Sequence, residues 1–249
     1  MVARARRRRR HEEGSVSPAM RALATLAAAL LLTSLCAITL ASGVSQQWFE
    51  WVRPPADYAA RLVQDALPLR LIIALDDVFI AAYVASALLF VQFLRTSERD
   101  PLRVVVAAFS VAAGVLDLAE NHHLLSLLAL AEAGLPVPVE DILLRSQLSQ
   151  LKWMLGHVAF AFLGVSLTLD APLAKVLRVA LVFVQLPLGA LTWAVPDGLW
   201  LPVLVWLRYG ALVSGFASVA FLARSSQPSL TRRPASRDDD GAVGSGARA

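Results

Sequence analysis

Cysteine is almost absent from this chain: Cys36 stands alone among 249 residues. A single thiol excludes an intrachain disulfide and any thiolate metal cluster, and its place inside an apolar run makes it a packing residue. Charge is scarce as well, at 17%, whereas 57% of residues are hydrophobic. Soluble domains carry about 25% charged and about 45–50% apolar residues. With a mean hydropathy of +0.60, the apolar surplus must face lipid, and little is left outside the apolar runs to build a soluble domain. The chain has no HExxH helix, no Ser nucleophile elbow, no phosphate loop and no dinucleotide fingerprint. The chemistries those motifs carry therefore have no support in it.

What is present is six long apolar runs, at residues 20–43, 71–94, 102–128, 147–169, 176–195 and 199–223. Each approaches or exceeds the roughly 20 residues that take a helix across a bilayer. The expected fold class is all-α, a polytopic integral membrane protein with about six transmembrane helices. Residues 1–18 read as a disordered basic head, 19–224 as the transmembrane domain, and 225–249, rich in Ser, Pro, Arg, Asp and Gly, as a disordered tail. The first run exceeds the ~7–15 apolar residues of a signal peptide and is expected to stay uncleaved.

Between the runs, residues 44–70 read as an amphipathic linker whose Trp48, Phe49 and Trp51 settle at the membrane–water interface, with a short interfacial helix over 56–69. Residues 132–146, holding Pro136, Pro138, Glu140 and Asp141, read as a loop. Pro187 and Gly189 predict a kink in the fifth span, and Pro196-Asp197-Gly198 a tight turn.

Lys and Arg set the expected orientation. With the N-terminus inside, Arg4, Arg6 to Arg10, Arg95, Arg99, Arg103, Lys175, Arg178 and the tail arginines all lie inside, so both termini are expected in the cytoplasm of a plasma or inner membrane. The basic head is a topology signal and an attractor of anionic lipid headgroups rather than a nucleic-acid patch. Membrane lipids are the expected partners.

Polar residues interrupt the apolar runs in a pattern. In the third run Asp117, Glu120 and Asn121 stand at i, i+3 and i+4, on one narrow helix face. Carboxylates inside a membrane helix are expensive, so they face a protein interior and mark a functional site. At a rise of about 1.5 Å per residue, Asp117 lies roughly 16 Å and Glu120 roughly 12 Å below the outer end of that span. Asp76 and Asp77 of the second span lie roughly 8–9 Å deep, Lys152 of the fourth roughly 8 Å, His157 roughly 15 Å and Arg208 of the sixth roughly 14 Å. Four spans thus carry charge in the outer half of the bilayer.

Asp76 shares its face with Ile80 and Tyr83 and is the inward member of its pair. Four acids against Lys152 and Arg208 leave two negative charges to be met by protons, a metal ion or a cationic ligand. Asp117, Glu120 and Asp76 are the candidate acid/base or proton-carrying groups, and Asn121, Lys152, Arg208 and Tyr83 the candidate substrate contacts. Arg208 at its depth is expected to meet an acidic partner. A divalent metal such as Zn²⁺, Mn²⁺ or Mg²⁺ would need Asp77, His123 or His157 as further ligands.

Intramembrane Asp and His are similar in chemistry to the membrane hydrolases that include alkaline ceramidases and progestin/adiponectin receptors. That resemblance implies seven helices and a zinc site, but six runs are counted here and the last has no histidine pair. Three functions fit the pattern. The first is an intramembrane enzyme acting on a lipid or lipid-linked substrate, with Lys152 and Arg208 holding a phosphate or developing anion. The second is a proton- or cation-coupled small-solute transporter. The third is a non-catalytic scaffold whose polar groups join helices.

Overall fold

The computed structural model describes residues 17–93, 101–167, 171–195, 198 and 200–225. The basic head, the tail, the 95–100 loop and Pro196-Asp197 lie outside the described residues. Among the described residues six helices are long and apolar enough to cross a membrane, and the chain is an all-α, multi-pass membrane-type protein.

Helix α1, Pro18–Ser42, starts where Ser17 accepts the Met20 N–H at 3.2 Å and Pro18 occupies the first turn. It stops at Gly43, whose φ of 69° is the left-handed conformation that ends helices. Next come a 3₁₀ turn, Gln46–Glu50, and helix α2, Pro55–Gln64. Helix α3 is Ala66–Phe93, α4 is Pro101–Glu132 and α5 is Val139–Ser166. Helix α6, Pro172–Ala194, holds a π-helical stretch at Ala180–Gln185, and α7 is Trp200–Ser225. The expected kink at Pro187 takes the form of this widened turn. Proline has no N–H for the carbonyl four residues back, and a wide turn lets the helix continue past it.

Two expectations are corrected. Residues 132–146 are not one loop: the turn ends at Pro138 and helix α5 begins at Val139. Glu140 and Asp141 sit in its first turn, where carboxylates meet the positive helix end. Arg145 and Gln147 hid this start by breaking the apolar run, although a polar residue that faces inward leaves the helix intact. In 44–70 the short helix expected over 56–69 is present as Pro55–Gln64, but the aromatic residues of this linker do not all stay at the interface. Phe49 and Tyr58 are buried with ring centroids 5.3 Å apart, Trp48 packs edge-on to Phe49 at 4.9 Å, and the Tyr58 hydroxyl donates to the Phe49 carbonyl at 3.0 Å. The 46–50 turn is thereby tucked into the end of the bundle.

The spanning helices close a ring in chain order. Helix α1 packs on α3 and α7, α3 on α4, α4 on α5, α5 on α6, and α6 on α7, while α2 rests on α4. One apolar cluster joins Leu32, Phe49, Tyr58, Ile73 and Leu128 around the end that carries the 46–50 turn. A second, including Phe90, Leu163, Leu177 and Val219, fills the opposite end. Large apolar side chains such as Leu23, Leu40, Val104, Phe183 and Phe221 face outward, as a lipid-facing surface requires. Hydroxyls on this apolar ground are satisfied locally: Thr33 donates to the Ala29 carbonyl at 2.8 Å, and Thr25 meets Ser86 across α1 and α3 at 2.8 Å.

Candidate functional site

The i, i+3, i+4 face of α4 meets a matching face of α5. Arg145, Ser149 and Lys152 stand at i, i+4 and i+7 of α5, and all three are buried. Glu120 is where they converge. Its Oε2 lies 2.6 Å from Lys152 Nζ, its Oε1 lies 3.0 Å from Arg145 Nη2, and Ser149 donates to the same Oε1 at 2.5 Å. Arg145 also donates from Nε to the Phe49 carbonyl at 3.1 Å and from Nη1 to the Glu120 carbonyl at 2.7 Å. It thereby fastens the 46–50 turn to α4.

Lys152 places its ammonium among carboxylates, with the Trp153 ring 5.7 Å away. Asp117 Oδ1 lies 2.7 Å away and Glu50 Oε1 3.5 Å away, in addition to Glu120. Tyr83 donates to Asp117 Oδ2 at 3.4 Å. Glu50 accepts from Gln47 Nε2 at 2.5 Å and from Trp153 Nε1 at 3.5 Å. Burial pushes the Glu50 carboxyl above the usual carboxylate range. The nearby Lys152 opposes that rise and Glu120 adds to it.

Asn121 bridges the two adjacent aspartates, since its Nδ2 donates to Asp76 Oδ2 and to Asp77 Oδ1, each at 2.9 Å. Its own Oδ1 accepts from Gln46 Nε2. Asp76 lines the cavity described below. Asp77 is half-buried and faces the exposed His122 at 3.8 Å.

Arg208 departs from expectation. Its partners are neutral: Gln47 Oε1 at 2.5 Å, Thr192 Oγ1 at 3.2 Å and the face of Trp153, whose centroid lies 3.5 Å from Cζ. An aromatic face and two oxygen dipoles hold the buried cation without forming a salt bridge. Neither Lys152 nor Arg208 is therefore left open to hold a phosphate.

Neither His123 nor His157 joins the carboxylates around Lys152. His123 pairs with Asp141 at 3.7 Å near the start of α5, and His157 stacks on Trp153 at 5.7 Å against Gly189. Among the described residues, no three His, Cys, Asp or Glu side chains are grouped to hold a metal ion.

The cluster forms the floor of a cavity of about 440 Å³. Asp76, Asp117, Lys152, Gln46, Gln47 and Glu50 supply its polar side. Leu32, Leu35, Cys36 and Leu40 of α1, Ile72 and Phe79 of α3, and Leu201, Val205 and Trp206 of α7 supply apolar walls. Leu40, Gly43, Pro202 and Trp206 of this lining are exposed, so the cavity reaches the surface at the bundle end that carries the 46–50 turn, where α1 ends and α7 begins. Two smaller cavities of about 70 Å³ continue inward. One shares Asp117, Lys152 and Trp153 with the first. The other shares Tyr83, Gly156 and Phe160 with it and reaches Gln185 of the π turn.

Gln46, Gln47, Glu50 and Arg145 were missed as site residues in the sequence. Arg145 was legible, because it extends the Ser149–Lys152 face by one turn. The 46–50 turn carries no periodic signal. Comparison with protein-family models, curated proteins and solved structures finds no match.

Proposed function

We propose that this protein is an intramembrane enzyme acting on a lipid or lipid-linked substrate that enters at the bundle end carrying the 46–50 turn, where α1 ends and α7 begins. The observation that supports this reading is the cavity itself: apolar walls open at one end of the bundle, over a floor of carboxylates and one lysine. Such a shape takes an amphiphile head first, with its chain against Leu35, Leu40 and Val205. Asp117 and Asp76 are the acid/base groups, since paired carboxylates in one pocket separate in proton affinity. Glu120 is a positioning residue that holds Lys152 and Arg145 in place. Both termini are assigned to the cytoplasm on the Lys and Arg distribution, where the basic head meets anionic headgroups.

The test is reconstitution of the purified chain with a total membrane lipid extract, followed by mass spectrometry of the lipids. Lipid species should appear or vanish with wild type and not with Asp117→Asn. An unchanged lipid profile overturns the enzyme.

The transporter is the second reading, favoured by the two smaller cavities that lead from Asp117 and Lys152 to Gln185. Its mark is solute uptake driven by a pH gradient and lost in Gln185→Leu as well as Asp117→Asn.

A further inference from the structure

At the cavity floor the donors of Lys152, Asn121, Gln46 and Gln47 are committed, while acceptors remain; the Trp51 indole N–H and the Arg53 guanidinium lie higher in the lining. Lys152 has three N–H donors and three carboxylates about it. Tyr209 donates to Gln47 at 3.2 Å and Trp153 to Glu50 at 3.5 Å. The Gln46, Gln47 and Asn121 amides all donate inward, to Asn121, Glu50 and the two aspartates respectively. By contrast, a carboxylate has about four acceptor positions, and Asp76 uses one, toward Asn121. The charges run the same way. Among the lining residues, Glu50, Asp76 and Asp117 stand against Lys152 and Arg53, the latter beside Trp48. Arg145 and Arg208 are fully buried and are not part of the cavity lining. Trp48, Trp51, Trp206 and Tyr209 add aromatic walls, the surface that favours an organic cation.

We propose that the headgroup admitted to this cavity is a primary amine, bound as ammonium by Asp76 and Asp117 between aromatic walls, and that phosphate-headed lipids are refused. This inference rests on the reading of the cavity as an amphiphile site. At the floor, a phosphate would meet committed donors and the outward acceptors of Asp76. An ammonium brings three donors to those acceptors and offsets the negative surplus. The chain's sole thiol reports on occupancy, because Cys36 lines the same cavity wall.

The experiment uses the full chain in detergent and measures the rate of Cys36 alkylation by a small maleimide. Dodecylamine, dodecanol and dodecyl phosphate, matched in chain length, are titrated as protectants. Dodecylamine is expected to protect at a concentration at least tenfold below that of dodecyl phosphate, and Asp76→Asn to erase that preference while the variant still folds. Asp117→Asn serves as the second variant, with the same loss of preference. Equal protection by the phosphate, or better, overturns the amine assignment and leaves the amphiphile site standing. Protection by none of the three overturns both.

Discussion

Arg145 and Glu120 form an ion pair with Nη2 and Oε1 3.0 Å apart, and neither side chain is exposed to any degree. The pair connects α5 to α4, and through the Phe49 carbonyl it also holds the 46–50 turn. A buried pair gains little over apolar packing, yet breaking one half strands the other charge. The Glu120→Gln variant is therefore expected to lose about 3–5 kcal/mol of stability. Arg145→Met should lose a comparable amount, and the double variant less than the two losses added together, because the stranded charge is gone. Thermal unfolding in detergent measures all three.

Asp76 should behave in the opposite way. Its carboxylate has one protein donor, Asn121, and faces the cavity. Asp76→Asn is isosteric and removes a charge that no cation directly pairs. Unfolding temperature is expected to stay within a few degrees of wild type, a change of about 1 kcal/mol or less, while lipid turnover falls at least tenfold. A loss of fold on the scale of Glu120→Gln would make Asp76 a structural residue instead.

Gly189 lies so close to the His157 ring that a β-carbon added there would overlap the imidazole. Neither ring nitrogen of His157 has a hydrogen-bond partner that would hold it elsewhere. Gly189→Ala should therefore destabilise by about 1–3 kcal/mol through overpacking. Adding His157→Ala opens the space, so the double variant should recover part of the loss relative to His157→Ala alone. A fully additive double-mutant cycle would deny the contact.

Glu50 gives stability a pH dependence whose sign follows from its burial. Its folded proton affinity is raised above the ordinary glutamate value, chiefly by burial. The folded state therefore binds the proton more tightly than the unfolded chain. The resulting stability is complete below the ordinary glutamate value and is lost as pH rises through the raised one. Unfolding temperature should fall as pH climbs from about 4.5 toward neutrality, and Glu50→Gln should flatten that slope. Scans of wild type and Glu50→Gln at several pH values check it, and an unchanged slope in the variant would contradict the assignment.

The membrane architecture was readable before any coordinates existed, because lipid imposes a length and an apolar content that only a helix meets. The pairing of Asp117 with Glu120 and Asn121 was readable too, since helical spacing puts them on one face. Spacing could not show which charges meet. Arg208 looked like a partner for an acid by depth alone, yet the fold surrounds it with Gln47, Thr192 and Trp153. His157 looked like a ligand, but it packs between Trp153 and Gly189. Depth counted from helix ends also inherits every error in those ends. The early start of α5 at Val139 moved Arg145 from a loop into the buried cluster.

Local chemistry, by itself, determined the six helices, their caps at Ser17 and Gly43, and the polar face of α4. Each follows from interactions within a few residues or from the bilayer acting as solvent. Only the closed ring of helices decided that the 46–50 turn enters the bundle and brings Glu50 to Lys152, 102 residues away in the chain. The physical reason is that a charge in a low-dielectric interior is settled by whichever partners the packing brings within about 4 Å, and sequence distance has no bearing on that.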